Sequence, residues 1–103
     1  MIPLIKNKIN EITEACRQYK VKSLYLFGSA ATGKFKSGSN IDFIADYAKN
    51  SEGLPVSRFD YFDFLFKLEG ITGQKVDLVV SKAIRNRYFI ERIEKEKLLL
   101  YAE

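Results

Sequence analysis

Gly28-Ser29 and, ten residues further on, Asn40-Ile41-Asp42 are the residues whose types and spacing could do chemistry. A glycine at the end of a strand lets backbone N–H groups approach an anion with no Cβ in the way, and the Ser29 hydroxyl adds a donor. Side chains alternate along a strand, so Asn40 and Asp42 point the same way, about 6.6 Å apart in rise. They can converge on one or two divalent cations lying about 3.5 to 4 Å from each other. Downstream, Val76-Asp77-Leu78-Val79-Val80 sets a further carboxylate in an apolar run. Buried strands rarely carry an isolated aspartate without a partner or a metal, although a local cap or salt bridge would also satisfy it. The pattern is that of a phosphate-gripping turn feeding a strand of cation-binding side chains.

The elements that must position these groups can be read from periodicity. Val21 to Phe27 is a strand of β-branched, aromatic and leucine residues ending in turn residues. Asn40 to Asp46 is a second strand, with Ile41, Phe43 and Ala45 on one face and Asn40, Asp42 and Ile44 on the other. The loop between them, Thr32 to Ser39, carries Lys34 and Lys36, which either touch phosphate or merely solvate the loop. Before the first strand, Ile5, Ile9, Ile12, Cys16 and Tyr19 predict one amphipathic helix from Pro3 to Tyr19, with Cys16 on its buried stripe. A polar break at Lys49 to Leu54 precedes a helix whose start is marked by Pro55 and by Ser57 with Asp60, and whose end is Gly70 as a C′ residue. Phe59, Phe62 and Phe66 form one stripe and Tyr61, Leu65 and Leu68 an adjoining one. Such a wide apolar arc predicts core packing, with aromatics left over for an interface. The third strand is Val76 to Val80. Ser81 is expected to cap a last helix carrying Ile84, Tyr88 and Ile93, and Lys97 to Tyr101 to finish as a short edge strand.

Composition narrows the class of function. At 103 residues the chain is expected to be a single domain, 1–103, and its 47% hydrophobic content supports one packed core. No stretch approaches the roughly 20 apolar residues of a membrane span, and the N-terminal residues lack a signal-peptide core, so a cytoplasmic location is expected. With one cysteine and no histidine, an intrachain disulfide, a Cys/His zinc site and Ser-His-Asp catalysis are excluded. A net charge of +4 would attract nucleotides, nucleic acid or an acidic partner. The lysines and arginines are scattered, which favours a solvated surface over a dedicated nucleic-acid face. Gly28 to Lys34 also spells the front of a P-loop, but Phe35 stands where that loop needs a Mg²⁺-binding Ser or Thr.

The Gly-Ser turn, the ten-residue spacer, the metal-binding pair and the later Val-Asp-Leu-Val-Val strand resemble the nucleotidyltransferase fold of the DNA polymerase beta superfamily. The short chain is similar to the minimal nucleotidyltransferases paired with a HEPN-domain partner as antitoxin and toxin. The resemblance implies an α/β (α+β) fold, a small mixed β-sheet with helices packed mainly on one face. It implies an NTP substrate, ATP, with Mg²⁺ or Mn²⁺, and transfer of a nucleoside monophosphate to a hydroxyl, such as a tyrosine of the HEPN partner. By the same likeness Gly28, Ser29, Lys34 and Lys36 bind nucleotide, Asn40, Asp42 and Asp77 bind metal, and Asp42 and Asp77 are catalytic. The family pattern has Asp where this chain has Asn40, and hard cations bind chiefly to anionic oxygens. A catalytically weakened module that neutralises its partner by contact is therefore the second reading.

Overall fold

The computed structural model describes residues 2–33, 39–47, 58–81 and 84–103, with the side chains of 58 and 59 excepted. Four strands, β1 Val21–Phe27, β2 Ile41–Tyr47, β3 Val76–Val80 and β4 Leu98–Ala102, form one sheet in the order β3-β2-β1-β4. β1 pairs antiparallel with β2 and with β4, while β2 and β3 run parallel. The mixed α+β sheet expected from the sequence is what forms. Parallel pairing requires a crossover between β2 and β3, and a helix over Arg58–Thr72, α4 below, lies in that connection.

The five helices are α1 Pro3–Asn7, α2 Ile9–Gln18, α3 Ser29–Thr32, α4 Arg58–Thr72 and α5 Arg87–Glu96. The sheet face carrying Leu24, Leu26, Ile41, Phe43, Ala45, Val76 and Leu78 packs with Ile5, Ile12, Cys16, Phe64 and Leu68 into one buried cluster. Burial pushes the Cys16 thiol up to about 12, as suits a core residue. The first helix is not continuous as expected. At Lys8 (φ −107, ψ 9) the helix is interrupted, and ahead of α1 the Ile2 N–H donates to the Ala30 carbonyl at 3.2 Å. The isoleucine periodicity survives the break because the turn consumes a single residue.

α4 also departs from the sequence reading. It runs through Gly70 to Thr72, and Gly73, at φ +69, is the residue that ends it, its N–H donating to the Glu69 carbonyl at 2.8 Å. The expected cap at Ser57 lies outside the described residues, as does the break at 49–54. The helix buries Phe64 and Leu68 completely, leaves Phe62 and Phe66 exposed as a stacked pair, and sets Tyr61 and Leu65 against the core. Phe62 and Phe66 are thus the aromatics left over on the surface. Ser81 does not cap α5. Asn86 does, its Oδ1 accepting from the Phe89 N–H at 3.1 Å. Among the described residues, no helix is long and apolar enough to cross a membrane.

The phase of α4 has a measurable consequence. Phe64→Ala should destabilise the protein by about 3–5 kcal/mol, whereas Phe66→Ala should stay within about 0.5 kcal/mol; urea unfolding of the two variants checks this, and equal losses would refute the burial.

Candidate functional site

Three strands meet at the candidate site. Phe27 at the end of β1 is paired with Asp42 on β2, and Asp42 is paired with Asp77 on β3. Registered neighbours project to the same face, so both carboxylates leave the sheet opposite the helical core, just beyond the end of β1. Here the chain turns at Gly28, with φ +73 and ψ −149, a conformation that is essentially glycine-only. A Cβ on Gly28 would lie 2.5 Å from Asp42 Oδ2. The missing side chain is therefore the room in which the Asp42 carboxylate sits.

After the turn, Ser29 opens α3, whose start is held by Ala31 and Thr32 N–H groups donating to the Gly28 carbonyl at 3.0 and 3.1 Å. The first N–H groups of such a turn have no partner within it. Ser29 is half-buried and directly follows the Gly28 bend. Lys34 and Lys36 lie outside the described residues.

Asn40 lies one residue before β2 begins, so it belongs to the approach to the strand and not to the strand itself. Its Nδ2 donates to Asp77 Oδ2 at 3.1 Å. The amide thus faces the acid as a donor. Asp77 is exposed and Asp42 half-buried. The Asp42 carboxyl is pushed up to about 6, first by desolvation, then by the like charge of Asp77 and by a hydrogen bond with it that favours the protonated form. Two adjacent carboxylates, one strained by the other, are a donor set that fits a hard divalent cation such as Mg²⁺ or Mn²⁺. Among the described residues no group of three His, Cys, Asp or Glu converges, and the side chain that reaches Asp77 from position 40 is an amide.

Two supports escaped the sequence reading. Tyr61 on α4 donates its hydroxyl to the Leu78 carbonyl, and Glu69 Oε2 accepts from the Val76 N–H at 3.1 Å. Both tie β3 to the crossover helix on either side of Asp77, and neither has a motif that would betray it. α5 lies on the site face, where Phe89 packs against Phe27 at 5.8 Å and the Arg92 guanidinium sits 5.9 Å from the Phe27 ring.

The fold has counterparts in known proteins. The sequence matches the nucleotidyltransferase domain family over residues 9–100. The chain belongs to that family. A candidate protein adenylyltransferase of Methanocaldococcus jannaschii is 36% identical over 96 residues, covering 85% of this chain and 93% of the relative. The structure of a candidate minimal nucleotidyltransferase superposes with a TM-score of 0.76 at 19% identity, covering 91% of this chain and 90% of that one. An MNT antitoxin in complex with a tri-AMPylated HEPN toxin of Shewanella oneidensis gives a TM-score of 0.67 at 19% identity, with 95% and 72% coverage. These two structural likenesses establish the minimal nucleotidyltransferase fold.

The close approach at Gly28 predicts that Gly28→Ala costs about 1–3 kcal/mol in thermal or urea unfolding, and full stability in that variant would refute the strain. Because folding raises the Asp42 pKa, the ionised carboxylate opposes folding of the metal-free protein above pH 6, and the effect fades toward pH 4 as both states become protonated. In the presence of EDTA, Asp42→Asn should raise the melting temperature by a few degrees at pH 7.5, and its advantage should shrink at pH 4.5.

Proposed function

We propose that this nucleotidyltransferase-family chain transfers AMP from ATP to a hydroxyl acceptor, and that the acceptor is a tyrosine of a HEPN-domain partner. The observation that carries the reading is the closure of the Gly28 bend on Asp42, with Asp77 registered beside it. It joins a backbone turn suited to phosphate with an acid pair suited to a cation, as a nucleoside triphosphate requires. Support for the transferred group and acceptor comes from the relative named for protein adenylyl transfer and from the AMPylated HEPN toxin held by its antitoxin.

In the proposed reaction the acceptor oxygen bonds to the α-phosphorus, the bond from that phosphorus to its bridging oxygen breaks, and pyrophosphate leaves. Gly28 and Ser29 hold the β and γ phosphates through backbone N–H groups and the Ser29 hydroxyl, with Lys34 and Lys36 supplying positive charge. Asp77, the exposed acid, takes the acceptor proton, and half-buried Asp42 stays against the turn. A bound Mg²⁺ or Mn²⁺ would be held by Asp42 and Asp77, with Asn40 contributing at most its neutral oxygen, and would offset charge on the attacking and leaving oxygens.

One observation favours the second reading, a module that neutralises its partner by contact. The Asn40 amide donates to Asp77, so a neutral donor occupies an oxygen that a cation would otherwise bind. The two readings separate in one assay with labelled ATP, Mg²⁺ and a HEPN-domain protein. Transfer by the natural chain, faster with Asn40→Asp, is the expected outcome; transfer by Asn40→Asp alone would establish the contact-acting module. In calorimetry with Mg²⁺, Asp42→Ala should weaken ATP binding by more than about 100-fold, and unchanged affinity would remove the site.

A further inference from the structure

The sheet face that carries Asp42 continues along β2 to Ile44 and Asp46, and at Asp46 it opens into a cavity of about 330 Å³. Tyr25 from β1 and Ile44 and Asp46 from β2 line one side, and Ile84, Ile90 and Ile93 line the other. Among the described residues, two buried side-chain polar atoms lack a hydrogen-bond partner. One is the Tyr47 hydroxyl and the other is Asp46 Oδ1. A buried acceptor without a donor is costly, and the cost is recovered when a ligand brings one. Ser81, Arg85, Glu94 and Lys97 line the same cavity; the Lys97 ammonium is committed to Glu94 at 2.8 Å and lies 4.2 Å from the centre of the Tyr25 ring, and Arg85 is engaged in an interaction of its own.

We infer that this cavity is a base-reading pocket in which Asp46 accepts a hydrogen bond from the exocyclic amine of adenine. The inference rests on the reading that a triphosphate binds at Gly28 and Asp42. Asp46 is four residues beyond Asp42 on the same strand face, about 13 Å at strand rise. This is about the reach of a nucleoside triphosphate from its middle phosphates to the far edge of its base. The isoleucines and the Tyr25 side chain give apolar walls for a planar ring, and among the polar groups of the lining Asp46 offers the buried acceptor without a partner that would set its orientation. A carboxylate oxygen accepts hydrogen bonds, so Asp46 Oδ1 selects bases that present an amine and stays without a donor beside a base that lacks one.

The test compares ATP with purine riboside triphosphate, which lacks only the amine, in Mg²⁺-containing calorimetry, with inorganic tripolyphosphate as the probe of the phosphate site. The natural chain should bind ATP at least about tenfold more tightly than the deaminated analogue. Asp46→Ala should bind the two equally and keep its affinity for tripolyphosphate. No preference in the natural chain, or a preference retained by Asp46→Ala, overturns the base pocket while the triphosphate site stands. Failure of the folded natural chain to bind either nucleotide or tripolyphosphate brings down the triphosphate reading, and this inference with it. Should Asp46→Ala fail to fold, Asp46→Asn keeps shape and an acceptor without charge; it should show a reduced preference, and an unreduced one overturns the proposal.

Discussion

Two like-charged carboxylates held side by side are the constraint on which this molecule turns. Nothing in folding itself favours the contact between Asp42 and Asp77, since desolvation and mutual repulsion push the Asp42 carboxyl up to about 6. The pair persists because backbone pairing of β2 with β3 fixes the register, Asp42 opposite Asp77, and the apolar neighbours on the other face cannot be moved out of the core. A one-residue slip would separate the acids and turn Ile41, Phe43 and Ala45 to the outer face. Core packing thus enforces the electrostatic strain, which the cation of the proposed function would relieve.

The same logic explains why the supports lie on α4. β3 is an edge strand of five residues, with a ladder on one side only. Tyr61 grips its Leu78 carbonyl and Glu69 its Val76 N–H, while Phe64 and Leu68 anchor the helix in the core. The crossover helix therefore does more than connect two parallel strands. It fixes one acid relative to the other from a face of the sheet that no ligand at the site can touch.

Much of the site was legible in the sequence, and the reason is local. Strand alternation already assigns Asp42 and Asp77 to faces opposite their apolar neighbours, and a glycine after a strand signals a bend. The limits of β1 and β3 followed from runs bounded by polar or turn residues. The errors also have local causes. Gly70 looked like a helix end because glycine favours that place, yet Gly73 three residues later takes the positive φ, since the helix still has Ile71 to set against the core. Ser81 looked like a cap, but α5 begins only at Arg87 and Asn86 caps it. Lys8 gave no sign of the break it makes, because a single non-helical residue leaves the spacing of buried isoleucines intact.

By itself the sequence determined the residue types: a glycine-serine bend, two acids in apolar strands, an amide where the family pattern has a third acid, and no histidine. Strand period and composition suffice for that, because they depend on neighbours a few residues away. The tertiary structure alone decided that the Gly28 bend closes on Asp42, that the Asn40 amide turns its N–H toward Asp77, and that Asp46 is left facing a cavity under α5. Each of these is a contact between segments far apart in the chain, set by sheet order and by where a helix can pack.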